Sequence, residues 1–203
     1  GGRTVGPFGN ELCRYLSGFN NGIDASVTLI DGDEFEAKNG DRQDFSVFGN
    51  KAVVTTKRVK DSFPTLTVDA KAHYVTEENI FLFIKEGDVV LSCVDNHATR
   101  KLLSDYCQKL DNVVLISGGN EYSDGNIQVY VREGGKDVVP PITKLHPEID
   151  SPRDRNPAEL SCEELARSGI PQLIFTNFIV AGWMLSAFWL VTNGHLKYSE
   201  QYF

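Results

Sequence analysis

Two acids, Asp31 and Asp33, close a short apolar run made by Val27, Leu29 and Ile30, and a polar stretch with Asn39, Arg42 and Gln43 follows in VTLIDGDEFEAKNGDRQ. A buried strand that stops at acids sets carboxylates at the carboxyl edge of a parallel sheet, where nucleotides lie. A carboxylate there accepts hydrogen bonds from ribose hydroxyls, and the forked donors of Arg42 suit phosphate. The same stretch read alone is equally a strand followed by a charged, solvated loop. Lys51 follows Gly49-Asn50 in the first turn of a helix predicted over residues 51–60, directed towards the same crevice, whereas Lys57, Arg58 and Lys60 read as a solvated face. A second acid-ended strand, residues 88–93, runs into Asp95-Asn96, and Asp95 is a carboxylate of the kind that holds Mg2+ beside a triphosphate. Cys162 stands in Ser161-Cys162-Glu163-Glu164, a capping-box pattern that opens a helix. The helix amino end favours its thiolate while Glu163 and Glu164 oppose it, so a reactive thiol and an inert small residue both remain open.

The elements that position these residues follow from periodicity. Gly6 and Gly9 precede a helical pattern at Leu12, Tyr15, Leu16 and Phe19, and glycines there let the backbone approach a phosphate at the helix start. With Pro7 and Phe8 inside it, this loop matches the dinucleotide-binding glycine pattern imperfectly. Leu66, Val68 and Ala70 alternate as a strand, residues 77–84 read as a short helix, and a helix over 98–110 carries Arg100 near its start. A strand over 113–117 leads through Gly118-Gly119 and the turn Ser123-Asp124-Gly125 into a strand over 126–131. This order predicts an α/β fold: a Rossmann-like, mostly parallel sheet flanked by helices, with antiparallel strands added at the C-terminal side. Residues 1–134 are expected to form the nucleotide-binding core. Residues 135–160, marked by Pro140, Pro141, Pro147, Pro152 and Pro157, are expected to form an irregular crossover, and residues 161–203 to form C-terminal helices completing the same domain.

Composition narrows the function. The 203 residues carry a net charge of -8, which argues against duplex DNA or RNA as a partner and leaves room for a small anionic nucleotide. The cysteines Cys13, Cys93, Cys107 and Cys162 form no CxxC pair, so neither a zinc ribbon nor a disulfide framework is expected, and a reducing cytoplasm fits best. No charged, cleavable leader is recognised at the amino end. Residues 173–192 are uncharged and long enough to cross a bilayer. Thr176, Asn177, Gly182 and Ser186 interrupt the run and no basic cluster flanks it, so a buried helix, packed on the sheet or at a dimer interface, is expected rather than a membrane span.

With both acid-ended strands in view, the chain resembles the E1-like adenylyltransferase family of ThiF, MoeB and the ubiquitin-activating enzymes. The family's D-x-D and N-x-x-R-Q are met by Asp31-Gly32-Asp33 and Asn39-Gly40-Asp41-Arg42-Gln43, its helix-opening lysine by Lys51, and its aspartate-asparagine pair with a later arginine by Asp95-Asn96 and Arg100. Its serine-glycine strand end and G-x-hydrophobic strand are met by Ser117-Gly118-Gly119 and Gly125-Asn126-Ile127. The resemblance implies ATP and Mg2+ as cofactors, with Asp33 on the ribose, Arg42 and Lys51 on the phosphates, Asn39 and Gln43 as polar supports and Asp95 as the magnesium ligand. It implies that the C-terminal glycine of a ubiquitin-like or sulfur-carrier protein attacks the α-phosphate, giving an acyl-adenylate, and that Cys162 stands where several relatives carry a cysteine that then takes the acyl group as a thioester or passes sulfur. A homo- or heterodimer is implied as well. The family's usual glycine string and its paired CxxC zinc motifs are not met, so zinc is not expected and another subunit or segment is expected to complete the site. Two further readings use the same residues: a catalytically degenerate E1-like subunit that binds a partner, and an NAD-dependent oxidoreductase in which Asp31 or Asp33 holds an adenosine ribose.

Overall fold

A computed structural model of the chain describes residues 12–16, 26–35, 48–120, 123–160 and 174–203. It divides into two compact units, Gly1–Val75 and Thr76–Phe203.

In the first unit, helix α1 spans residues 12–16. Strand β1, Ser26–Ile30, lies parallel to β4, Thr67–Lys71, in a register that pairs Ser26 with Thr67 and Ile30 with Lys71. Val27 and Leu29 of β1 pack with Phe63 and Leu66 on a buried cluster of Cys13, Val59 and Val68. Each aliphatic side chain fully buried in this way contributes about 1.5–3 kcal/mol. The short strands β2, Glu34–Phe35, and β3, Gly49–Asn50, pair antiparallel and tie together the chain on either side of residues 36–47. Gly49 has φ +132°, a backbone that side-chain-bearing residues rarely adopt, and it delivers the chain from β3 into helix α2, Lys51–Ser62. Helix α2 buries Lys51, Ala52, Thr55, Thr56 and Val59, a one-sided spacing that leaves Lys57 and Lys60 outside.

In the second unit, helix α3, Ile80–Phe83, leads to β5, Val89–Ser92, which lies parallel to β6, Val113–Asn120, with helix α4, His97–Cys107, between them in sequence. Helix α4 buries Thr99, Arg100, Leu103, Ser104 and Cys107, the repeat expected of a one-sided helix. Strand β7, Gly125–Glu133, runs antiparallel to β6. The region expected to be irregular from residue 135 begins instead with β8, Lys136–Val139, antiparallel to β7. Gly134 and Gly135, with φ +55° and +73°, make the tight turn between them. Two short helices follow, α5, Ile142–Leu145, and α6, Pro147–Asp150, then a 3-10 turn at Pro157–Glu159. Helix α7, Ile174–Thr192, packs on β6 and β7, and strand β9, Glu200–Tyr202, pairs with β7.

The expected α/β architecture is present. The expectation of a buried terminal helix holds for one side of α7. Thr176, Asn177, Val180, Ala181, Met184 and Ala187 are buried, while Phe175, Phe178, Ile179 and Trp189 are exposed. Among the described residues, α7 is the helix long and apolar enough to cross a membrane, by length and composition only. Its close seat on β6 needs Gly118, where an added Cβ would lie 2.8 Å from Val180 Cγ1 and against the Met184 sulfur.

Candidate active site

In the first unit the two acids after β1 take different places. Asp31 is 5% exposed, and its Oδ1 accepts the backbone N–H of Asp33 at 2.9 Å, closing a turn of its own. Burial pushes its carboxyl above the ordinary carboxylate range, as the low polarity of an interior disfavours the charged form. Asp33 faces Lys51 and Tyr74 instead. Lys51 Nζ donates to Asp33 Oδ2 at 2.9 Å, and Tyr74 Oη donates to Asp33 Oδ1 at 2.6 Å. Burial raises the Asp33 carboxyl, but nearby positive charge, Lys51 included, and these two hydrogen bonds outweigh it and bring it down to about 2. Asp33 is therefore an anion near neutral pH, with lone pairs still available to a ligand donor.

Asn50 joins this turn to α2. Its Nδ2 donates to the carbonyls of Asp31 at 2.8 Å and Asp33 at 3.1 Å, while its Oδ1 accepts from Val53 N–H at 3.2 Å and caps the helix. The backbone N–H of Lys51 donates to the Asp33 carbonyl at 2.9 Å. The lysine side chain is 6% exposed and that of Asp33 30%, so the pair is sheltered on the lysine side.

Tyr74 carries a role that the sequence reading missed. A signal for it exists: β1 and β4 pair at a constant offset, Ser26 with Thr67 onwards, and Tyr74 lies the same 41 residues beyond Asp33. Gly32 makes the room, since an added Cβ there would lie 2.5–2.6 Å from the Tyr74 ring.

In the second unit, Asp95 is exposed at the loop after β5. Asn96 is buried, and its Oδ1 accepts from Thr99 N–H at 2.7 Å as the cap of α4. Arg100 is not directed outwards. Its Nη2 donates to the carbonyls of Val94 and Gly118, each at 3.0 Å, so it ties the loop after β5 to the end of β6. Burial lowers its pKa from the usual guanidinium value. Gly119 gives it space, as an added Cβ would come within 2.8 Å of Arg100 Nη1.

Gly6, Gly9, Asn39, Arg42, Gln43 and Cys162 lie outside the described residues. No cluster of three or more metal-ligating side chains occurs among the described residues. Mg2+ is commonly held by one or two carboxylates together with phosphates and water, so the exposed carboxylate of Asp95 fits it in chemistry.

The clustered Asp33, Lys51 and Tyr74 can hold a hydroxyl and an anion side by side. Residues 5–193 match the ThiF family, and the chain belongs to it. It is 32% identical over 130 residues to "Adenylyltransferase and sulfurtransferase MOCS3" of Drosophila grimshawi, covering 62% of this chain and 28% of that protein. It is 27% identical over 129 residues to "Adenylyltransferase and sulfurtransferase UBA4" of Candida albicans, with the same coverages. The chain thus spans under a third of these relatives' length. Its fold is similar to that of E. coli MccB crystallised with ATP, with a TM-score of 0.65 at 18% identity, covering 95% of this chain and 54% of that one. MccB with the MccA peptide gives a TM-score of 0.65 at the same identity, covering 95% and 55%.

Proposed function

We propose that this chain catalyses ATP-dependent adenylation of the C-terminal glycine of a ubiquitin-like or sulfur-carrier protein. The observation that supports this most directly is the Asp33–Lys51 pair, braced by Tyr74 and Asn50, in a chain of the ThiF family. The relatives named as adenylyltransferases and the ATP-bound MccB neighbour point the same way.

In this reading Asp33 accepts from the ribose hydroxyls, while Lys51 and Arg42 face the phosphates, with Asn39 and Gln43 as supports and Gly6 and Gly9 allowing the backbone close approach. Asp95, beside Asn96, would hold Mg2+, which when bound offsets negative charge on the phosphates. A carboxylate oxygen of the carrier bonds to the α-phosphorus as the bond to the bridging oxygen breaks, and pyrophosphate leaves with that electron pair. The cations stabilise the charge that develops. Cys162 then attacks the acyl carbon as a thiolate, AMP departs, and a thioester remains. A second subunit belongs to this reading, seated on the exposed apolar side of α7 at Phe175, Phe178 and Ile179. The reaction is assigned to a reducing cytoplasm. An NAD-dependent oxidoreductase would leave Arg42, Lys51 and Asp95 without a task.

Exchange of labelled pyrophosphate into ATP, measured with and without carriers ending in glycine, tests the reading. Carrier-dependent exchange is expected. A folded protein that gives none with any carrier overturns it in favour of a partner-binding subunit.

A further inference from the structure

We propose that Asp154 is a positioning residue that clips the crossover segment to the amino end of α4 and so sets the backbone that carries Asp95. Asp154 Oδ2 accepts the His97 N–H and its Oδ1 the Ala98 N–H, each at 2.8 Å, across 57 and 56 residues of chain. Asn96 already accepts from Thr99 N–H, so the first three N–H groups of α4 are all engaged, two of them by this distant carboxylate. An anion on those donors is also favoured by the positive end of the helix dipole.

The clip does more than finish a helix, a task that water or the cap residue performs elsewhere. A second tie joins the crossover segment to α4, from Lys101 Nζ to Asp150 Oδ1 at 3.0 Å. Asp95 directly precedes the cap residue Asn96, and the Val94 carbonyl before it is held by Arg100 at 3.0 Å. The backbone around Asp95 is thus fastened by Arg100 on one side and, through the start of α4, by Asp154 on the other. A metal-holding carboxylate works within tight positional limits, and the groups that orient it share in its effect. The catalytic consequence rests on the adenylation reading, whereas the clip itself does not.

Hydrogen–deuterium exchange of the nucleotide-free protein reads the clip directly. Asp154→Ala is expected to speed exchange of the His97 and Ala98 amides by about tenfold or more, and Asp154→Asn, with one acceptor oxygen, by less. In ATP–pyrophosphate exchange, Asp154→Ala is expected to lower kcat and raise the Mg2+ needed for half-maximal rate, each by about tenfold, with the KM for ATP little changed. Asp150→Ala, which breaks the tie to Lys101, should leave the Mg2+ requirement where it is. Unchanged amide exchange in Asp154→Ala overturns the clip. Faster amide exchange with an unchanged Mg2+ requirement overturns the positioning role. A wild-type protein without pyrophosphate exchange overturns the adenylation reading and this catalytic consequence together, while the amide data still decide the clip.

Discussion

Lys51 Nζ lies 2.9 Å from Asp33 Oδ2 across 18 residues of chain, and the lysine end of this pair is almost wholly buried. The pairing joins the turn after β1 to the first turn of α2, so neither charge is left alone in a sheltered place. Removing one partner strands the other, which costs more than an exposed ion pair is worth. Lys51→Ala is expected to destabilise the protein by about 2–3 kcal/mol, and the cycle with Asp33→Asn to show a coupling of about 1–2 kcal/mol in urea unfolding. A coupling near zero would mean that the contact adds nothing beyond its two separate members.

The depressed carboxyl of Asp33 sets a pH dependence. Its folded value of about 2 against an ordinary 3.8 means that the unfolded chain binds the proton more readily. This stabilisation is present above the ordinary value and is lost as pH falls towards the folded one. Asp31 works in the opposite sense, since its raised carboxyl makes protonation favour the fold. The stability gap between wild type and Asp33→Asn should therefore be open at pH 7 and close between about pH 4 and pH 2. Denaturation curves over that range check it, and a gap that persists at the acid end refutes it.

Tyr74→Phe keeps the ring and removes the 2.6 Å hydrogen bond to Asp33, for an expected loss of about 1–2 kcal/mol. Gly32→Ala keeps the hydroxyl and takes away the room for the ring, for an expected loss of about 1–3 kcal/mol. Both variants should also raise the titration midpoint of Asp33, since one deletes the hydroxyl and the other displaces the ring that carries it, and carboxyl NMR would read the shift. If Tyr74→Phe leaves the midpoint where it is, the hydroxyl is not what holds the carboxyl down.

Asp95→Ala and Arg42→Ala are each expected to cut ATP–pyrophosphate exchange by about 100-fold or more in protein that still folds. Cys162→Ala should spare this exchange and remove any thiol-linked carrier adduct. Burial pushes the thiols of Cys13 and Cys107 up to about 11 and 12, so neither should be alkylated in the folded protein at pH 8. Peptide mapping after alkylation, with and without carrier, separates these outcomes. A carrier adduct on Cys107 would contradict its assignment as core.

The alternation of Val27 and Leu29, the acids after β1 and β5, and Lys51 at the start of a one-sided helix were all legible along the chain. Each is a local pattern: strands repeat every two residues, helices every three to four, and caps act within one turn. The turn at Gly134-Gly135 was equally local, but the prolines that follow it drew residues 135–160 into a single irregular segment, and β8 was missed. Which acid meets Lys51 and Tyr74 was a different kind of question. Asp31 and Asp33 are two residues apart and alike in type, yet one turns in upon its own backbone while the other meets Lys51 and Tyr74. That choice depends on the register of β1 against β4, and the inward path of Arg100 depends on carbonyls at Val94 and Gly118 that only the packed sheet brings together. Local periodicity encodes where a strand or helix lies along the chain, whereas a hydrogen-bond partner tens of residues away is selected when packing sets distances to a fraction of an ångström.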